Sequence, residues 1–144
     1  MLKKFFEEIT YFGGISFFLL IIFLSALLKK ELFIKLIFAL FSIYLLAFLI
    51  RIFYFKPRPE RVKYSNFIGK LDASSFPSVH TSRITFLFLF SSFFLQLHAA
   101  LVFLFAIVAI LAVYSRIYLR KHDLIDVIGG LVLGILVFLV SIFF

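Results

Sequence analysis

The chain has no cysteine, only seven acidic residues among 144, and few charges of either sign, 15% against 65% hydrophobic residues. Without cysteine there is no disulfide, no thiolate metal ligand and no cysteine nucleophile. So few carboxylates leave little with which to build a two-metal site. The scarcity of charge excludes a soluble globular domain. Proline is equally sparse, and Pro57, Pro59 and Pro77 all fall in one stretch.

What the sequence does have is apolar runs close to the roughly 20 residues needed to cross a bilayer. The length leaves room for about five crossings joined by short connections and none for a separate soluble domain, so residues 1–144 are expected to form one domain. The expected fold is an all-α integral membrane bundle of about five transmembrane helices with a short N-terminal interfacial helix. Met1–Phe12 supplies that helix: Leu2, Phe5, Phe6, Ile9 and Phe12 recur at helical spacing against Lys3, Lys4, Glu7 and Glu8. A frayed terminus is the plainer alternative. The apolar run that follows is too long for a signal peptide and lacks a small-residue cleavage site, so it is expected to be retained.

The first crossing is expected at Phe12–Leu28, closed by Lys29, Lys30 and Glu31, and the second at Leu32–Phe55, ended by Pro57 and Pro59. Residues 56–80 are the one long polar stretch and read as a working loop. Arg83 to Arg120 as a single helix would measure about 57 Å, well beyond a hydrocarbon core of about 30 Å. Two crossings, 81–97 and 99–115, are therefore expected, broken at Gln96-Leu97-His98. The fifth is Leu124–Phe144. His98 is given no role.

This count brings the end of span two, the start of span three, the end of span four and the start of span five to one face. Arg51, Lys56 and Arg58 come from the first of these ends, Ser78 and His80 from the second, Ser115 and Arg116 from the third, His122 and Asp126 from the fourth. His122 and Asp126, at i and i+4, share a helix face, where a carboxylate can accept a bond from an imidazole N–H and fix its tautomer. The other ring nitrogen is then a nucleophile or base. A helix cap beside an interfacial histidine is the bland alternative. Pro77-Ser78-Val79-His80 opens a helix whose first N–H groups are unpaired and attract phosphate. Ser78 could donate a hydroxyl and His80 a proton, although a serine-rich N-cap explains the same residues. Arg51, Arg58 and Arg116 can grip phosphate oxygens. Snorkelling to headgroups is favoured for Arg61, Lys63, Lys70, Arg120 and Lys121. An iron or zinc site built from His80, His122 and Asp126 is the chemical rival, and the surrounding arginines oppose it.

In this order the residues resemble the type 2 phosphatidic acid phosphatase (PAP2) superfamily of membrane lipid phosphatases. Its first signature, a lysine, six residues and Arg-Pro, is matched by Arg51 through Arg58-Pro59, with arginine in the lysine's place and Lys56 a possible substitute. Pro-Ser-Gly-His is matched by Pro77-Ser78-Val79-His80, with valine for glycine. Ser-Arg, five residues, His, three residues, Asp is matched without departure by Ser115-Arg116, His122 and Asp126. The resemblance implies that His122 attacks phosphorus to form a phosphohistidine, Asp126 orients it, and His80 protonates the departing lipid oxygen and later activates water. Arg51, Arg58, Ser78, Val79 through its backbone N–H, and Arg116 would hold the phosphate oxygens, with no metal or other cofactor.

The family usually has six spans, and here the interfacial helix stands in for the first. Similar bacterial members act on lipid A 1-phosphate, undecaprenyl pyrophosphate or phosphatidylglycerol phosphate. The expected partners are thus a membrane lipid substrate and the bilayer, with lipid A 1-phosphate the leading guess. No nucleic acid and no obligate protein partner are expected. The implied location is the bacterial inner membrane with the site facing the periplasm, whereas counting Lys3, Lys4, Arg61, Lys63, Lys70, Arg120 and Lys121 by the positive-inside rule points the other way. The competing class is a non-catalytic binder or transporter of anionic lipids.

Overall fold

The computed structural model describes residues 1–60 and 62–144; Arg61, expected above to reach toward headgroups, lies outside the described residues. Along the chain come α1 (Leu2–Ile9), a 3-10 turn (Thr10–Gly13), α2 (Ile15–Leu28), α3 (Lys30–Phe53), α4 (Phe67–Ala73), α5 (Val79–Phe94), α6 (Ala99–Tyr118) and α7 (Leu124–Ser141). The fold is all-α, as the hydropathy pattern predicts. The stretch Leu2–Leu28 and helices α3, α6 and α7 are each long and apolar enough to cross a membrane.

Helix α5 has 16 residues, about 24 Å of length, and every residue from His80 to Leu87 is buried. A helix buried on all sides is the middle of the bundle. Its aromatic side chains Phe86 and Phe90 pack with Phe18 of α2, Leu36 and Ile43 of α3, and Val137 and Phe138 of α7. Outward-facing positions such as Phe23, Phe41, Phe103 and Ile110 are large, apolar and exposed, as a surface solvated by acyl chains requires.

Helices α5 and α7 approach most closely. A Cβ on Gly130 would lie 2.5 Å from the Ser78 carbonyl oxygen, and one on Gly134 would lie 2.7 Å from that of Ser82. Two glycines four apart form a flat stripe that lets the backbones touch, the small-residue packing of helices that lack a hydrophobic drive to associate in lipid. The Ser78 N–H donates to the Asp126 carbonyl at 3.0 Å, which ties the two helix starts together.

Three sequence expectations change. Residues 56–80 are not loop throughout, since Asn66 caps the short helix α4 by accepting from the Gly69 N–H at 2.7 Å. The break near 96–98 is where expected, but α5 stops at Phe94 and α6 runs on to Tyr118. His98 does have a task, because its Nδ1 accepts from the Ala100 N–H at 3.3 Å and caps α6. At the end of the bundle away from the loop, buried Lys35 donates to the Ser141 carbonyl at 2.8 Å, which satisfies the C-terminus of α7.

Candidate active site

Helix α6 ends in a turn that sets the position of His122. The Lys121 N–H reaches back to the Arg116 carbonyl and the Arg120 N–H to that of Ile117, both at 3.0 Å, with Arg120 left-handed at φ 53°. This pairing satisfies the last carbonyls of the helix. The His122 N–H shares the Arg116 carbonyl at 3.1 Å, so the histidine is held beside the arginine by backbone alone. One residue on, Asp123 opens α7 with a reciprocal capping box: its side chain accepts from the Asp126 N–H at 3.1 Å, and Asp126 Oδ2 accepts from the Asp123 N–H at 3.0 Å.

These constraints put His122, 4% exposed, against fully buried Asp126. His122 Nδ1 stands 3.6 Å from Asp126 Oδ2, beyond hydrogen-bond length, and has no partner. The direct imidazole–carboxylate bond expected from the i, i+4 spacing is therefore open. Asp126 is occupied elsewhere, since Lys56 Nζ donates to its Oδ1 at 2.8 Å and also to Asp123 Oδ2. A carboxylate held from both sides has little left to offer a metal ion. Burial lowers the Lys56 pKa, but the two carboxylates outweigh it and the net shift is upward. Burial, followed by the guanidinium groups of Arg116 and Arg58, lowers the His122 pKa to about 4 against the opposing charge of Asp126. The imidazole is thus neutral at neutral pH, with a lone pair available for attack.

The expected cluster does form. A cavity of about 180 Å³ is lined by Arg51, Arg58, Val79, His80, Arg116 and His122, together with Tyr44, Asp72 and Arg83. Buried nitrogens without a partner, the Nε atoms of Arg58, Arg83 and Arg116 and Nδ1 of His122, belong to residues of this lining. Orphaned donors of this kind are costly and signal a ligand-binding site. Arg58 is steadied by the Asp72 carbonyl at 2.8 Å. Arg51 clamps the loop before α5 by donating to the carbonyls of Phe76, Leu71 and Pro77 at 3.4, 3.3 and 3.1 Å.

Three expected residues stand outside the lining: Asp126, which lies behind His122, Lys56 and Ser78. Lys56 is committed to the two aspartates, and of the two basic residues of the first signature's start only Arg51 lines the cavity. Ser78 is fully buried, and its Oγ accepts from the Thr81 N–H at 3.4 Å and the Thr81 hydroxyl at 3.0 Å, which makes it the cap of α5. Arg83, Tyr44 and Asp72 join the lining without belonging to any of the expected groups. Arg83 was legible as an ionisable residue one turn after His80 on the same helix, and Tyr44 as a polar tip two turns before Arg51.

The N-terminal segment also reaches the site. Arg116 Nη1 donates to Thr10 Oγ1 at 3.1 Å, and that hydroxyl lies 3.4 Å from His80 Nε2. A Cβ on Gly13 would fall 2.2 Å from the same His80 nitrogen, so only glycine admits the ring. Phe6 anchors the segment, with its ring 4.5 Å from that of Tyr118 and 5.6 Å from that of Tyr114.

Two solved structures share this architecture. LpxE of Aquifex aeolicus superposes with a TM-score of 0.81 at 23% identity, over 99% of this chain and 86% of that one. The PAP2-type phosphatidylglycerolphosphate phosphatase of Bacillus subtilis does so with a TM-score of 0.74 at 22% identity, over 97% of this chain and 74% of that one. A comparison with curated protein sequences gives no match. The family model described as PAP2 superfamily matches residues 32–144, a range that runs from the first turn of α3 through α7 and holds all three signatures, and the chain belongs to that superfamily.

Proposed function

We propose that this protein is a metal-independent lipid phosphate phosphatase that works through a phosphohistidine. The observation that carries the reading is the cavity in which two buried histidines face four arginines. Neutral His122 attacks phosphorus, and Asp126, held by Lys56 and Asp123, supplies negative charge beside the imidazole as it turns cationic. His80 gives a proton to the departing oxygen and then takes one from the water that cleaves the phosphorus–nitrogen bond. Arg58 and Arg116, whose Nε donors lack partners, receive the oxygens on which charge accumulates. Arg51 and the backbone around Val79 complete the wall.

The substrate is an envelope lipid that enters sideways from the bilayer. On the family resemblance lipid A 1-phosphate comes first, with undecaprenyl pyrophosphate and phosphatidylglycerol phosphate as alternatives. The test is phosphate release by purified protein in detergent with EDTA, across these lipids and phosphatidic acid. Release that persists in EDTA, vanishes in His122→Ala, is greatly slowed in Asp126→Asn and is unchanged in Lys121→Ala is expected. Loss of release with EDTA alone would show a metal site instead, and lipid binding without release would show a non-catalytic binder.

A further inference from the structure

Three residues of the cavity, Tyr44, Asp72 and Arg83, lie outside all three signatures, and two of them touch each other. Arg83 follows His80 by three residues on α5, about 4.5 Å further into the bundle, and Tyr44 precedes Arg51 by two turns on α3. Arg83 is only 7% exposed. Its Nη1 donates to the Tyr44 hydroxyl at 2.8 Å, and its guanidinium lies 5.8 Å from the centre of the Tyr44 ring. Its Nε is buried without a partner. The guanidinium is thus oriented by a phenol, and a phenol leaves its charge uncompensated. An ionisable group at membrane depth is expensive to keep and marks a binding function.

Arg83 sits beside His80, the residue that protonates the departing oxygen, so an anion bound to Arg83 belongs to the leaving group. Tyr44, 44% exposed on a membrane-spanning helix, puts the rim of this part of the cavity at the lipid-facing surface. The geometry points to an Arg83–Tyr44 subsite for a second phosphoryl group, which makes the preferred substrate a lipid diphosphate. This rests on the phosphatase reading above and narrows its substrate class, displacing lipid monophosphates from first place.

In the reaction His122 attacks the terminal phosphorus while the bond from that phosphorus to the bridging oxygen breaks. The bond's electron pair stays on the bridging oxygen, which takes the proton from His80 and leaves as part of a lipid monophosphate. Arg83 offsets the charge that gathers on this inner phosphoryl group. Water then cleaves the phosphohistidine and releases orthophosphate. A lipid monophosphate departs as a neutral alcohol and gives Arg83 nothing to bind.

The experiment compares kcat/KM for a polyprenyl diphosphate and the polyprenyl monophosphate of the same chain length, in wild type, Arg83→Gln, Arg83→Lys and Tyr44→Phe. Wild type is expected to favour the diphosphate. Arg83→Gln should lose about 10- to 100-fold on it, as removal of a charged hydrogen bond does, and a clearly smaller factor on the monophosphate. Arg83→Lys and Tyr44→Phe should fall between. A binding readout covers variants that fold poorly: in the His122→Ala background, pyrophosphate should raise Tm more than orthophosphate, and Arg83→Gln should erase the difference. Equal losses on both substrates, or a wild type indifferent to the second phosphoryl, would overturn the subsite and leave the phosphatase reading standing. Release from neither substrate, with His122→Ala no different from wild type, would overturn the phosphatase reading itself.

Discussion

At the scale of single residues, the site depends on where charge is withheld as much as on where it is placed. His122 titrates near pH 4 when folded and near 6.5 when unfolded. Above 6.5 neither state is protonated there and the group contributes nothing to pH dependence. Between 6.5 and 4 the unfolded chain binds a proton that the native protein refuses, so stability falls with pH, by on the order of 3 kcal/mol once both states are protonated. Thermal unfolding in detergent should therefore show a lower Tm at pH 5 than at pH 7.5, and His122→Gln should remove part of that difference. An unchanged difference in the variant would mean that His122 takes up its proton as readily folded as unfolded. The acid limb of kcat/KM should likewise lie near pH 4. The placing of His122 beside Asp126 was legible from their spacing. The diversion of Asp126 to Lys56, 70 residues away in sequence, was not, because no local pattern records which of two basic groups reaches a carboxylate first.

At the scale of elements, the contact of α5 with α7 carries the site, because it fixes His80 on one helix relative to His122 and Asp126 at the start of the other. Gly134 is eight residues past Asp126, about 12 Å along the helix. Gly134→Val would drive a side chain into the Ser82 backbone and the Thr85 Cβ, 2.7 and 2.9 Å from the glycine's own Cβ direction. An overpacking cost of about 1–3 kcal/mol should lower Tm and remove most phosphate release. Ile135→Val, one residue on and facing outward at 42% exposed, should change neither. A Gly134→Val protein with wild-type Tm and turnover would show that the helices do not need this approach. The helices themselves were readable from run length and polar breaks. The short helix α4, capped by Asn66 inside the expected loop, and the run of α6 on to Tyr118 were not, because they depend on local geometry that hydropathy does not encode.

At the scale of the whole molecule, the chain threads so that the ends of α3 and α6 and the starts of α5 and α7 share the site face, which puts the C-terminus of α7 on the opposite face. If the site faces the periplasm, a reporter that fluoresces only in the cytoplasm should be bright when fused after Phe144. A dark fusion with the protein intact would place the site in the cytoplasm, as the count of basic residues has it. The sequence by itself determined the all-α membrane class and the superfamily, because hydrophobic run length and the ordered signatures are properties of the chain. Only the tertiary structure decided that Arg51 rather than Lys56 lines the cavity, that Ser78 is a cap, and that Thr10, Gly13, Tyr44 and Arg83 belong to the site. Those outcomes turn on which side chains meet across helices far apart in sequence, and such meetings are set by close packing of the whole bundle.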